Sequence, residues 1–291
     1  MNYRGRFAPS PTGPLHQGSL IAALASYLDA RHAGGTWLVR MDDLDPPREE
    51  PGAADAILDT LQAHGLHWDE AVMFQSQRAS AYEAALATLT AGGHLFYCEC
   101  TRAMQGPEGI CCGNCGYRQE WVGESRAVRT RVPDATEICF TDLIQNEQRS
   151  ALGQDSPDFI VKRKDGLIAY QLAVVVDDAA QGITHIVRGS DLLETTHKQV
   201  YLQQVLEHST PTYAHLPVIT TAQGQKFSKQ NHAPPLVNAL AQQNLRSALL
   251  FLNQAMPDET IDSVSGILEY AIQHWALDAV PRCLAIPVVR P

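Results

Sequence analysis

Long apolar runs are missing from this sequence. No stretch approaches the roughly 18 unbroken apolar residues that a membrane span needs, and the arginines of the opening MNYRGRFAPSPTGP have no apolar h-region behind them. The two absences argue against a helical membrane protein and against a signal peptide, so a soluble, cytoplasmic chain is expected. Positive charge is also scarce: 22 Lys and Arg stand against 32 Asp and Glu, a formal net charge of -10. A protein that coats nucleic acid nonspecifically relies on many contacts from Lys and Arg to phosphate, which disfavours that class while leaving room for a local basic face. Internal repeats and low-complexity segments are absent too, and 45% hydrophobic residues over 291 positions suit one large globular domain, or one with a small appendage.

Cysteine, by contrast, is concentrated. Five of the seven cysteines (Cys98, Cys100, Cys111, Cys112, Cys115) fall in one short window, while Cys139 and Cys283 stand alone. Without a signal peptide such clustering points to metal rather than to disulfides. Cys98-Glu99-Cys100, then ten residues, then Cys111-Cys112-Gly113-Asn114-Cys115 can supply four thiolates to a tetrahedral structural zinc site with no open position for catalysis. The expected ligands are Cys98, Cys100, Cys111 and Cys115, with Cys112 as a substitute because Cys112-x-x-Cys115 is the tighter local chelate; reduced, unliganded thiols are the bland alternative.

Along the chain, Tyr3 to Ala8 reads as a strand, Pro9 to Pro14 as a turn-rich loop, and Gly18 to Ala33 as an apolar helix closed by Gly34-Gly35. Thr36 to Met41 reads as a second buried strand, followed by acidic residues 42–45 and a helix from about Pro51 to His64. Strand alternating with helix implies parallel β-α-β construction. A helix near Gln77 to Thr90 leads to strand-like Leu95 to Tyr97 and the cysteine loop. Ala127 to Val132 and Phe159 to Tyr170 read as further β, with Asp165-Gly166 as a hairpin turn, so this middle section has the character of an insertion. Parallel patterning resumes with Ile183 to Val187 and a helix over Leu192 to Leu206, and from about Pro235 the chain reads as mostly helical.

Two segments carry chemistry. Residues 7–19, FAPSPTGPLHQGS, place turns and a histidine between a strand and a helix N-terminus, where backbone N–H groups and the positive end of the helix dipole suit a phosphate. His16 adds a donor for charge on a transferring α-phosphate, and Gly18 permits close approach of a nucleoside. Much later comes Lys226-Phe227-Ser228-Lys229-Gln230. Taken alone, His-x-Gly is a weak signal and Lys-x-Ser-Lys is ordinarily a solvated loop. Two lysines on a loop are nevertheless what nucleotidyl transfer needs, since negative charge gathers on the phosphate oxygens and the leaving pyrophosphate.

Taken in order, the pair resembles the HIGH and KMSKS signatures of class I aminoacyl-tRNA synthetases, and RFAPSPTGPLHQG is similar to the opening of their glutamyl branch. RMDDLD (Arg40 to Asp45), AYQLAVVVDD (Ala169 to Asp178) and ITHIVRGSDLL (Ile183 to Leu193) extend the resemblance, which runs in family order from residue 3 to residue 230. Gln17, Ser19, Phe227 and Gln230 depart from the signatures, while His16, Gly18, Ser228 and Lys229 are retained. The resemblance implies an α/β fold: a Rossmann-like parallel sheet with a zinc-containing insertion and a short helical C-terminal part. It divides the chain into 1–97 and 171–232 as the two halves of the catalytic domain, 98–170 as the insertion, and 233–291 as the helical end.

It further implies His16, Gly18, Lys226, Ser228 and Lys229 as catalytic residues, with His16, Gly18 and Lys229 binding ATP, a substrate that arrives with Mg2+. Glutamate would lie among Arg6, Phe7, Ala8, Pro9, Ser10, Asp42, Tyr170 and Arg188. Arg6 and Arg188 can each fork onto a carboxylate, and Asp42 with Ser10 would hold the ammonium, although a lone Asp at a strand end is ordinarily a cap or surface charge. Only 62 residues follow Lys229, too few for the anticodon-binding part of full-length glutamyl-tRNA synthetases. In this the chain resembles the short glutamyl-Q tRNA(Asp) synthetases, which transfer glutamate to the cyclopentene-diol ring of queuosine in tRNA(Asp). That resemblance implies a monomeric ligase with L-glutamate and queuosine-containing tRNA(Asp) as partners and no membrane association. A minimal glutamyl-tRNA synthetase, a non-catalytic tRNA-binding relative and an adenylating ligase for a small amine are the rival readings.

Overall fold

The structure, a computed structural model, describes residues 2–101, 103–105, 109–113, 115–116, 118, 126–221 and 234–287. Its first half runs β1 (Arg4–Phe7), α1 (Gln17–His32), β2 (Thr36–Met41), α2 (Ala53–Ala63), β3 (Met73–Phe74) and α3 (Ala79–Ala91). The middle holds β4 (Leu95–Cys98), β5 (Ala127–Arg131), β6 (Ile138–Asp142), β7 (Asn146–Ser150), α4 (Leu152–Asp155) and β8 (Asp158–Lys162). Then come α5 (Tyr170–Ala180), β9 (His185–Gly189), α6 (Leu193–Val205), β10 (Thr212–Leu216), β11 (Val218–Thr220), α7 (Ala241–Phe251), α8 (Val264–Gln273) and β12 (Ala285–Pro287).

β1 and β2 pair in parallel from Arg4 opposite Thr36 to Phe7 opposite Val39, and β3 adds in parallel to β2. Parallel neighbours need a crossover, which α1 provides. α1 buries Leu20, Leu24 and Leu28 completely and packs against the sheet, α7 and α8 at once, which accounts for its having no polar face. β9 and β10 form a second parallel pair from His185 opposite Thr212 to Gly189 opposite Leu216. Arg4 and Thr184 join the two pairs, the Thr184 N–H donating to the Arg4 carbonyl at 3.0 Å, so β1 lies beside β9 in the manner of a doubly wound sheet. One apolar cluster lies among α1, α7 and α8 and another among α3, α5 and α6.

Boundaries read from the sequence hold within about two residues for β1, α1, β2, α2, α3, β4, β5, β9 and α6. Two regions differ. The β reading over 159–170 is correct as far as Lys162 and for a turn at Gly166 (φ 87°), where Lys162 bridges Ile168, but Tyr170 opens a helix rather than ending a strand. The extended backbone of Ala169 caps that helix, which buries Leu172 to Val176. The β6–β7 hairpin went unread: β6 and β7 alternate around Asn146, whose φ of 64° closes the turn, and β6 pairs in parallel with β10. The strands of the middle section divide: β4, which ends at Cys98, makes a separate antiparallel sheet with β5 and β8, while β6 and β7 edge the sheet of the second half. No helix among the described residues is long and apolar enough to cross a membrane.

Candidate active site and cysteine cluster

Where β1 gives way to α1 and β9 ends, a cavity of about 410 Å³ opens at the carboxyl ends of the parallel strands. Arg6, Phe7, Ala8, Pro9, Ser10, His16, Gly18, Tyr170 and Arg188 all line it. His16 is the N-cap of α1: its Nδ1 accepts the Ser19 N–H at 3.2 Å. A side chain at position 18 would meet the His16 ring at 3.1 Å, so glycine there keeps the imidazole in place as well as leaving room. Val218 and Ile219 line the cavity, and Pro235 bridges His16 while the Leu236 N–H donates to the Leu15 carbonyl at 2.9 Å. Lys226, Ser228 and Lys229 lie outside the described residues.

The two arginines expected to read a carboxylate sit in opposite surroundings. Arg6 donates to both oxygens of Asp178 at 3.2 and 3.4 Å, and Arg40 bridges Asp178 at 2.6 Å and Asp42 at 2.7 Å; all four are buried. Burial pushes the Asp178 carboxyl up, but Arg6 and Arg40 outweigh it and hold the group below the usual carboxylate range. Asp42 is shifted up by its burial against the pull of Arg40. Asp42 is not among the cavity-lining residues, and one of its oxygens is taken by Arg40.

Arg188, only 5% exposed, has no aspartate or glutamate as a hydrogen-bond or ion-pair partner among the described residues. Its Nε donates to His215 Nε2 at 3.0 Å, its Nη2 to Thr196 Oγ1 at 2.7 Å and to Gln199 Oε1 at 2.8 Å, and its Nη1 is buried with no hydrogen-bond partner among the described residues. The Tyr213 ring lies 5.3 Å from the guanidinium. Behind His215, Asp142 Oδ2 sits 2.6 Å from Nδ1. Burial drives the His215 pKa down to about 4 despite Asp142, with the Arg188 charge working in the same direction. The neutral ring donates from Nδ1 to Asp142 and accepts Arg188 at Nε2. Asp142, Thr196, Gln199 and His215 were not found from sequence. The signal available was Tyr213-Ala214-His215, whose period of two places a histidine on one face of a buried strand.

In the inserted sheet, Cys98 at the end of β4 and Cys100 meet Cys111 and Cys115, with all four sulfurs within 4.8 Å of one another. Cys100 lies 3.7 Å from Cys111 and 3.6 Å from Cys115, and Cys115 is 3.7 Å from Cys98. Tetrahedral zinc with Zn–S bonds of about 2.3 Å requires sulfurs about 3.8 Å apart, so the donor set fits that ion. Burial raises the thiols of Cys98 and Cys111 to about 11 and that of Cys100 to about 12. Burial acts on Cys115 as well, but the Glu99 N–H and the neighbouring thiols hold it below its ordinary value. Four clustered thiols without a cation are therefore mostly protonated, and a bound metal would displace the protons. Cys112 is exposed and approaches Cys100 at 3.2 Å, while Cys139 and Cys283 stand apart. The loop is anchored by the Cys111 N–H, which donates to Asp158 at 3.1 Å, and Asp158 is ion-paired with buried Arg129.

The family model for tRNA synthetases class I (E and Q), catalytic domain, matches residues 2–104 and 117–250. The glutamyl-Q tRNA(Asp) synthetase of Neisseria meningitidis serogroup C is 50% identical across 98% of this chain and 99% of its own length. That of Thiobacillus denitrificans is 53% identical across 95% of this chain and 94% of its own. Among solved structures, a glutamate tRNA ligase from Elizabethkingia meningosepticum superposes with a TM-score of 0.79 at 23% identity, over 98% of this chain and 67% of that one, a likeness of fold. With a cavity at the carboxyl ends of its parallel strands and a family match over most of its length, the chain belongs to the class I tRNA synthetases of the E and Q type.

Proposed function

We propose that this chain is a ligase that activates L-glutamate with ATP and Mg2+, without tRNA, and transfers the glutamyl group to queuosine in the anticodon loop of tRNA(Asp). The observation that carries the amino-acid choice is the buried, unpartnered Nη1 of Arg188 in the wall of the cavity. A buried guanidinium with a spare N–H is matched by the side-chain carboxylate of glutamate. The acceptor is supported by about 50% identity, over nearly the whole of both chains, to relatives named for queuosine and tRNA(Asp).

Phe7, Ala8, Pro9 and Ser10 frame the amino acid on the β1 side and Tyr170 closes it from α5, with Ser10 toward the ammonium; Asp42, set behind the lining and paired with Arg40, would act on the ammonium only from outside the wall. The substrate's α-carboxylate oxygen attacks the α-phosphorus of ATP as the bond to pyrophosphate breaks. The N-terminus of α1, His16 and Gly18 stabilise the charge that gathers there, together with Lys226, Ser228 and Lys229 of the later signature. In the second step a hydroxyl of the cyclopentene-diol attacks the glutamyl carbonyl and AMP leaves. One structural zinc on Cys98, Cys100, Cys111 and Cys115 holds the inserted loop, and the enzyme works as a monomer in the cytoplasm. Metal analysis is expected to find one zinc per chain, with Cys98→Ser losing both metal and thermal stability; metal-free protein and an unaffected variant would favour free thiols.

The test uses labelled glutamate. Glutamate-dependent ATP–pyrophosphate exchange is expected without tRNA, and nuclease mapping should place label on tRNA(Asp) that carries queuosine. Label on queuosine-lacking tRNA(Asp), or on the terminal adenosine of tRNA(Glu), would replace this reading with that of a minimal glutamyl-tRNA synthetase.

A further inference from the structure

Four arginines are buried among the described residues: Arg6, Arg40, Arg129 and Arg188. The first three each contact an aspartate, Arg6 and Arg40 sharing Asp178 and Arg129 taking Asp158. Arg188 alone is held by neutral acceptors, His215 Nε2, Thr196 Oγ1 and Gln199 Oε1, and it alone of the four both lines the cavity and keeps a nitrogen, Nη1, with no hydrogen-bond partner among the described residues. The nearest carboxylate in its hydrogen-bonded surroundings, Asp142, is set one residue back, and the His215 ring stands between. Gln199 is fixed as well: its amide N–H donates to Gln171 Oε1 at 2.8 Å, so its oxygen and not its nitrogen faces Arg188.

Such a shell orients the guanidinium without cancelling its charge. A carboxylate in any of the three places would hold the arginine as firmly and would neutralise it before substrate arrived. A neutralised arginine still donates a hydrogen bond to a carboxamide oxygen, whereas a full cation in a buried wall strongly favours an anion.

We propose that the neutral shell of His215, Thr196 and Gln199, with Asp142 fixing the His215 ring, is the specificity device that makes the cavity choose a side-chain carboxylate over the isosteric carboxamide. Arg188 reads the charge; the four others are positioning residues that keep the charge intact. The inference rests on the assignment of Arg188 to the glutamate side chain made above.

Gln199→Glu is the direct test, because it changes charge at constant shape. Pyrophosphate exchange is measured with glutamate and with glutamine for wild type, Gln199→Glu, Gln199→Met and His215→Gln, with folding checked by thermal melts. Gln199→Glu is expected to lower the glutamate-to-glutamine ratio of kcat/KM by about tenfold or more, through KM for glutamate and with little change in KM for ATP. Gln199→Met loses one hydrogen bond but no charge, so it should keep the ratio even where the absolute KM rises. His215→Gln keeps a neutral acceptor and should retain most of the discrimination. An unchanged ratio in a folded Gln199→Glu, or an equal fall in the Met and Glu variants, would overturn the neutral-shell inference alone. Absence of glutamate-dependent exchange in wild type would overturn the reading of the site and the inference together.

Discussion

Arg6 and Arg188 face the same cavity from adjacent strands, and what differs is whether their charge is already answered. On the β1 side Arg6 and Arg40 are matched by Asp178 and Asp42, two cations to two anions, all buried. On the β9 side Arg188 has only neutral partners among the described residues. A buried ion network that balances internally is scaffold: it fixes β1 to α5, through Arg6 to Asp178, and leaves no net charge for a ligand to read. An unbalanced buried charge is tolerated where a ligand completes it. The contrast is what supports the proposal that the β9 side carries selectivity, a distinction that residue type alone does not make.

Breaking the balanced side should have the largest effect. Asp178→Ala leaves Arg6 and Arg40 without their shared partner, and removing one member of a buried network costs about 3–5 kcal/mol. Urea unfolding of the variant against wild type measures it; a loss under about 1 kcal/mol, the range of exposed pairs, would mean the network carries little of the fold. On the unbalanced side the damage should fall on chemistry. Arg188→Ala is expected to reduce kcat/KM for glutamate by an amount on the order of 2–5 kcal/mol, while ATP binding and the unfolding midpoint change little. Arg188→Lys should not restore it, because an ammonium cannot satisfy three fixed acceptors and a carboxylate in one plane. Unchanged exchange at low glutamate would move the pocket elsewhere.

The contrast also has a pH signature. His215 takes a proton near 6.5 in the unfolded chain but not until about 4 in the folded one. The unfolded state therefore binds more protons between those values. The contribution of the neutral ring is fully present above pH 6.5 and is lost as pH falls toward 4, roughly 3 kcal/mol at most. His64 and His185, whose pKa values burial also lowers, act in the same direction. The informative quantity is the difference in slope between wild type and His215→Gln over pH 6.5 to 4.5; parallel slopes would show that the ring is protonated in the native state.

Much of this was legible in the sequence because it is local. Strand, proline-rich turn and helix from Arg4 to His32 are written in one continuous stretch, and the four clustered cysteines lie within 18 residues of each other, from Cys98 to Cys115. The pairing of Arg40 with Asp42 was legible in principle, since residues two apart on a strand share a face. What stayed hidden is non-local or ambiguous. Leu172 to Val176 is a short run, apolar throughout and rich in β-branched residues, which periodicity cannot assign to helix or strand. The shell of Arg188 comes from three elements, β6, α6 and β10, and no spacing in the chain announces that Asp142, Thr196, Gln199 and His215 converge.

The smallest effect sharpens the comparison from outside. Arg163, in the turn after β8, pairs with exposed Asp165 at 2.6 Å and with Asp45 at 3.3 Å, and Asp45 is also paired with Arg48; the arginine is 41% exposed. If pairing itself set the energetic scale, Arg163→Ala would resemble loss of a buried partner. Burial sets it instead, because water already solvates both groups and the Coulomb term is small at high dielectric. Asp45 also keeps its second arginine when the first is removed. Arg163→Ala is therefore expected to cost at most about 1 kcal/mol in urea unfolding. Raising the salt from about 0.1 to 1 M, which shortens the screening length from about 10 to 3 Å, should erase most of that difference. Asp178→Ala, measured in the same two salts, should keep most of its deficit, since counterions do not reach a buried pair. A deficit that vanished in salt for Asp178→Ala as it does for Arg163→Ala would show that the β1 network is open to solvent, and the distinction between a balanced scaffold and an unbalanced reader would then have to rest on Arg188 alone.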